Sequence, residues 1–144
     1  MKKILLILAI GFAQIVMAQE AQVKKTVETF FAGLNSADVA KIKSVCSDKL
    51  ILQSVELHTA ANKFTEQTAD AFYKMIAETA SKVKFEEKVM DYKILTDGTI
   101  AHVWVPYEFF IEGQLSHKGV NSFELVKFKE GWKVVYIIDT RGVN

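Results

Sequence analysis

The chain has 144 residues, 50% of them hydrophobic and 24% charged, with 18 Lys plus Arg against 17 Asp plus Glu. That length suits one compact domain, and that apolar content excludes a chain that stays disordered. Near-balanced charge, with no basic run beyond single pairs such as Lys24-Lys25, lacks the footprint of a nucleic-acid binder, so no nucleic-acid partner is expected.

Met1-Lys2-Lys3 supplies a positive start, Ile4 to Val16 is almost wholly apolar, and Val16-Met17-Ala18 puts small or medium residues where a signal peptidase cuts. Residues 1–18 therefore read as a signal peptide cleaved after Ala18, and residues 19–144 as one exported domain. The apolar run is shorter than the roughly 20 residues that span a bilayer, so the product is expected in the periplasm or outside the cell, free of the membrane. Cys46 is the one cysteine, which excludes an internal disulfide and suits a small apolar residue on a buried helix face.

Val23, Val27, Phe30, Phe31 and Leu34 recur at helical steps and predict a helix from about Ala21 to Leu34. Asn35-Ser36-Ala37-Asp38 offers capping side chains for a second, short helix in which Val39, Ile42 and Cys46 line up. Leu50 to Leu57 reads as a strand. Thr65-Glu66-Gln67-Thr68 then precedes a third helix with Ala69, Phe72, Tyr73, Ile76 and Ala77 on one face.

After Ser81 the period changes to two, and Lys84 to Leu95, Ile100 to Glu112, Leu115 to Phe128 and Trp132 to Thr140 predict consecutive antiparallel hairpins. In the first segment the apolar phase switches from Val83, Phe85 and Val89 to Met90, Tyr92 and Ile94, as a bulge requires. In the second, the odd-numbered face from Ala101 to Ile111 is the expected core, and Pro106 marks an edge or a further bulge. Helices followed by strands make an α+β fold, with the helices on one face of an antiparallel sheet. The last strand is apolar on both sides, with Trp132, Val134, Tyr136 and Ile138 on one and Val135 and Ile137 on the other, which predicts a homodimer through the outer sheet face.

Phe30-Phe31-Ala32-Gly33-Leu34-Asn35-Ser36-Ala37-Asp38 near the front and Gly131-Trp132-Lys133-Val134 near the end, in this order of elements, resemble the nuclear-transport-factor-2-like superfamily over nearly the whole exported part. Tyr107-Glu108-Phe109-Phe110, Gly113, His117-Lys118-Gly119, Phe123, Gly131-Trp132 and Asp139-Thr140-Arg141 are most similar to its bacterial group labelled "putative lumazine-binding", neighbours of the SnoaL-like cyclases. The resemblance implies a strongly curved, cone-shaped sheet around three helices, cystatin-like, with a pocket at one end. It also implies relatives that include isomerases, dehydratases and cyclases as well as proteins without a known reaction. Function must come from the pocket residues.

His117 and Asn121 share the odd-numbered face of their strand with Phe123 and Leu125, which would set two polar groups in an apolar cone. Trp104 and Tyr107 could stack on a flat ligand or serve as packing residues. Asp139 and Arg141, two apart on a strand, share a face; they can flank a polar ligand group or form an exposed ion pair, and the ion pair is the favoured reading. The acids Glu108 and Glu112 fall on the even-numbered face, which leaves no catalytic carboxylate on the inner positions considered. His58, His102 and His117 are too irregularly spaced for a metal site, and the single turn glycines cradle no phosphate, so neither metal nor cofactor is expected.

Three functions remain open. The first is an exported binder of a small apolar or aromatic molecule, without turnover. The second is an isomerase-, dehydratase- or cyclase-type enzyme in which His117 or Asp139 moves a proton and Tyr107 or Asn121 donates to an oxygen. The third is a dimeric interaction module with a filled cone.

Overall fold

The computed structural model describes residues 2–80 and 82–142, with side chains from Met17 onward. Most of the signal segment expected over 1–18 thus lies outside the described side chains. Its backbone continues the first helix, α1 (Lys2–Asn35), further forward than the predicted start near Ala21. Among the described residues no helix is long and apolar enough to cross a membrane.

The predicted stripe of α1 is its buried one: Val23, Val27, Phe30, Phe31 and Leu34 all enter the core. The helix ends in a tight turn, with the Asp38 amide donating to Gly33 O at 2.8 Å and Ala37 in the left-handed region at φ 52°. Asp38 then caps α2 (Val39–Val45), accepting the Lys41 amide at 2.9 Å. A Cβ at Gly33 would lie 2.8 Å from Ile42 Cγ1, so the close α1–α2 contact depends on glycine. Cys46 is buried as expected, but it opens β1 (Cys46–Glu56) rather than continuing the helix.

The segment from Thr65 to Thr68, expected only as a helix lead-in, belongs to a strand, β2 (Lys63–Thr68), antiparallel to β1. Its side chains are mostly polar and exposed because it lies at the sheet edge. Thr68 still caps α3 (Ala69–Ala80), accepting the Ala71 amide at 3.2 Å. The Lys84 to Leu95 segment is two strands, β3 (Phe85–Val89) and β4 (Lys93–Thr96), both paired with β5 (Ile100–Ile111). Pro106 sits opposite the gap between them and its carbonyl accepts the Met90 amide at 2.9 Å, so its missing N–H interrupts no ladder bond.

β6 (Gln114–Phe128) and β7 (Gly131–Arg141) complete a seven-stranded curved sheet ordered β2-β1-β7-β6-β5-β3, with β4 beside β5. The antiparallel expectation holds except at β1 and β7, which run parallel. The odd-numbered face of β5 is the inner one, with Ala101, Val103, Val105 and Tyr107 buried. Register shifts in the β1–β7, β5–β6 and β6–β7 pairs bend the sheet. The last of these corrects the reading of β7. Glu124 faces Tyr136 but Leu125 faces Val134, so Val135 is the extra residue. Beyond it the phase flips, putting Ile137 and Asp139 inside with Trp132 and Val134 while Tyr136 and Ile138 leave the core. α1 packs on β3, β4 and β7, and α3 on β1 and β2, all on the concave side. Phe30 and Phe31 meet Phe123 edge-on at 5.3 and 5.5 Å and close one end of the core.

Candidate functional site

Between the helices and the concave side of the sheet lies a cavity of about 480 Å³. Phe30 and Leu34 of α1, Phe72 and Ile76 of α3, and Phe85 and Phe109 of the sheet form its apolar wall. The floor is polar and follows from strand register. Asn121, Asp139 and Ser54 are direct neighbours across β6, β7 and β1, and Glu87, Phe109 and His117 are neighbours across β3, β5 and β6. Because side chains alternate along each strand, both rows face the concave side.

Within the first row, Arg141 Nε donates to Asp139 Oδ2 at 2.6 Å, and Ser54 Oγ donates a short hydrogen bond to Asp139 Oδ1. Burial works against the Arg141 charge, but the hydrogen bond and attraction from Asp139 win and raise its pKa further. Asp139 is only 8% exposed whereas Arg141 is exposed, so the pair favoured as an exposed one has its carboxylate recessed in the cavity and its guanidinium open to solvent. Its carboxylate is occupied by Arg141 and Ser54.

Tyr107 sits beside this pair. Its hydroxyl donates to the Thr140 carbonyl at 2.9 Å and lies 3.4 Å from Asp139 Oδ2. The ring passes over Gly119, where an added Cβ would fall 1.8 Å from Thr140 O and 3.0 Å from Tyr107 Cε1. Burial, then the Asp139 and Glu87 charges, push the Tyr107 phenol well above its ordinary pKa, so it stays protonated. His117 stacks on Phe109 at 4.9 Å, and burial followed by repulsion from Arg141 lowers its pKa, which keeps the imidazole neutral at neutral pH.

The group that sequence reasoning missed is Glu87. It is half-buried on β3, lines the cavity, and accepts a hydrogen bond from Asn121 Nδ2 at 2.5 Å. Burial is the largest influence and pushes its carboxyl up to about 7; the Asn121 hydrogen bond opposes this, Asp139 adds to it, and Arg141 opposes it. A signal was available. Glu87 occupies the same phase as Val83, Phe85 and Val89, and an acid inside an apolar phase is a carboxylate carried into the core.

Of the candidates read from sequence, Tyr107, His117, Asn121, Asp139 and Arg141 all line this cavity. Trp104 does not. Its even-numbered position on β5 points it to the convex face, where it is 43% exposed. Among the described residues no group of three His, Cys, Asp or Glu could hold a metal ion.

The family model described as "Putative lumazine-binding" matches residues 18–137. No curated protein matches the sequence. A nuclear-transport-factor-2-like protein with a cystatin-like fold from Novosphingobium aromaticivorans superposes with a TM-score of 0.72 at 8% identity, over 92% of this chain and 87% of that one. One from Cytophaga hutchinsonii gives 0.68 at 16% identity, over 85% and 98%. A "putative dehydratase" of this fold family from Streptomyces avermitilis gives 0.63 at 12% identity, over 86% and 96%. Identities this low establish the shared fold alone.

Proposed function

Because the chain belongs to the "Putative lumazine-binding" family, we propose that it is an exported protein whose cone holds a small apolar or aromatic molecule without turning it over. One observation carries the reading: a cavity of about 480 Å³ sets an apolar wall of Phe30, Phe72 and Phe85 against a floor of a few convergent polar groups. That size and mixture suit an organic molecule of drug size. Asp139, held by Arg141 and Ser54, serves as part of the floor. Export is supported by the charged start, apolar run and Val16-Met17-Ala18 site. A homodimer through the convex face is supported by Trp104, 43% exposed there, with Phe110 and Ile138 half-buried on the same side.

Mass spectrometry of small molecules released from the purified protein tests the pocket. A retained compound is expected, and it should be lost in an Ile137→Trp variant that fills the cavity. A compound carried equally by both forms would be bound elsewhere and would overturn the reading.

A second reading, an isomerase-, dehydratase- or cyclase-type enzyme, is favoured by Glu87. A carboxyl pushed up to about 7 inside a cavity is matched to general-base work at neutral pH. Conversion of the retained compound by the native protein but not by Glu87→Gln would establish this role, and recovery of the compound unchanged from both would return the cone to binding alone.

A further inference from the structure

The charges of the cavity floor do not cancel. Arg141 is neutralised by Asp139 at 2.6 Å, whereas Glu87 makes no ion pair among the described residues and is met only by the neutral amide of Asn121. That hydrogen bond falls on Oε1. Oε2 accepts nothing from the described residues and is not among the fully buried unsatisfied atoms, so it keeps some exposure, and Glu87 lines the cavity. The same cavity is lined by Phe30 and Phe72 of the helices and by Phe85, two residues before Glu87 on the same face of β3. An unpaired carboxylate recessed among apolar groups is costly, and a ligand cation hydrogen-bonded to it relieves that cost.

We infer that the cavity selects a planar molecule bearing a protonated nitrogen, its flat apolar body against the phenylalanines and its N–H groups on Glu87 Oε2. The inference deepens the binding reading above and rests on it. A planar anion of the same size would face Glu87 with like charge, and a neutral one would leave the carboxylate without a counter-charge. Arg141 does not reverse this, because its charge is already directed at Asp139.

The probes are benzamidinium, benzamide and benzoate, which share one ring and differ in charge. Calorimetric titration near pH 8 should show benzamidinium binding at least about tenfold more tightly than the other two, a margin that one charge-assisted hydrogen bond supplies. Glu87→Gln should abolish the preference. Acidification to about pH 5 should weaken the cation in the native protein, because Glu87 gains a proton, and leave the Gln variant less affected. The other titratable or charged groups on the cavity are Glu66, Tyr107, His117, Asp139 and Arg141, all of them present in both proteins, so the difference between native and Gln variant isolates Glu87. Benzamide or benzoate binding as tightly as benzamidinium, or a preference that survives Glu87→Gln, would overturn the inference and leave the binding site standing. Absence of binding by all three probes would overturn both.

Discussion

The side-chain amide of Asn35 makes both of its hydrogen bonds to the main chain of Glu87. Its Nδ2 donates to Glu87 O at 3.0 Å and its Oδ1 accepts the Glu87 amide at 2.7 Å. The last residue of α1 thus occupies the free edge of β3 as a strand partner would, at the residue whose carboxyl enters the cavity. Asn35→Ala removes both bonds and should destabilise the protein by about 1–2 kcal/mol, a typical net value for two exposed hydrogen bonds. It should also bring the Glu87 carboxyl down toward its ordinary range as β3 loosens and water enters. Carbon-13 NMR titration of that carboxyl reads this directly; an unchanged midpoint would mean that Asn35 serves stability alone.

Glu87 also ties stability to pH. Its folded pKa is raised, so the native state holds a proton that the unfolded chain releases between about 4.5 and 7. The sign follows: this contribution is present below about pH 4.5 and is lost as pH rises toward 7, amounting to about 3 kcal/mol across that window. Glu87→Gln should flatten that part of the curve and make the protein relatively more stable at pH 8 than at pH 5. Urea denaturation of both forms at the two pH values checks it, and parallel curves would show that Glu87 titrates normally.

Gly119 holds the floor open for Tyr107. The β6–β7 ladder runs to Asn121↔Asp139 and resumes only as a single bridge at Lys118↔Gly142, and the Thr140 carbonyl between them is taken by Tyr107. Gly119→Ala forces a Cβ onto that carbonyl and should cost about 3 kcal/mol, since main chain must move to make room. Tyr107→Phe removes only the hydroxyl bond and should cost about 1 kcal/mol. Equal, small losses in denaturation midpoint for both would contradict the close packing.

The sheet's inner face and the stripes of the helices were legible because a single apolar phase runs through each: Val23 to Leu34 in α1, Ala101 to Tyr107 in β5. What escaped detection broke a period locally. β2 is six largely exposed residues, Lys63–Thr68, whose pairing with β1 leaves no apolar signature. The extra residue at Val135 reverses the faces of β7, so Asp139 reads as outer when strict alternation is carried on from Trp132. Cavity membership was partly legible. Tyr107 and Asn121 lie on strands whose core phase was plain, whereas Trp104 was selected for its chemistry against that phase. Glu87 lay in plain phase too, and was passed over because charged residues on strands are ordinarily outside.

Trp104 belongs to the surface where the proposed second copy would sit. Trp104→Asp places a charge on the convex face without touching the cavity, so it should shift the protein to a monomer in light scattering while leaving the fold intact. A native protein that is already monomeric at micromolar concentration would remove the dimer.

The central claim is that the concave cavity is where a small molecule binds. The most direct measurement is a residue-resolved NMR titration of the purified protein with neutral and charged planar aromatics. Saturable shifts should gather at Phe85, Glu87, Tyr107, Asn121 and Ile137, with Trp104 and Ile138 on the convex face unmoved. Shifts confined to the convex face, or no saturable shift with any of the compounds, would contradict it.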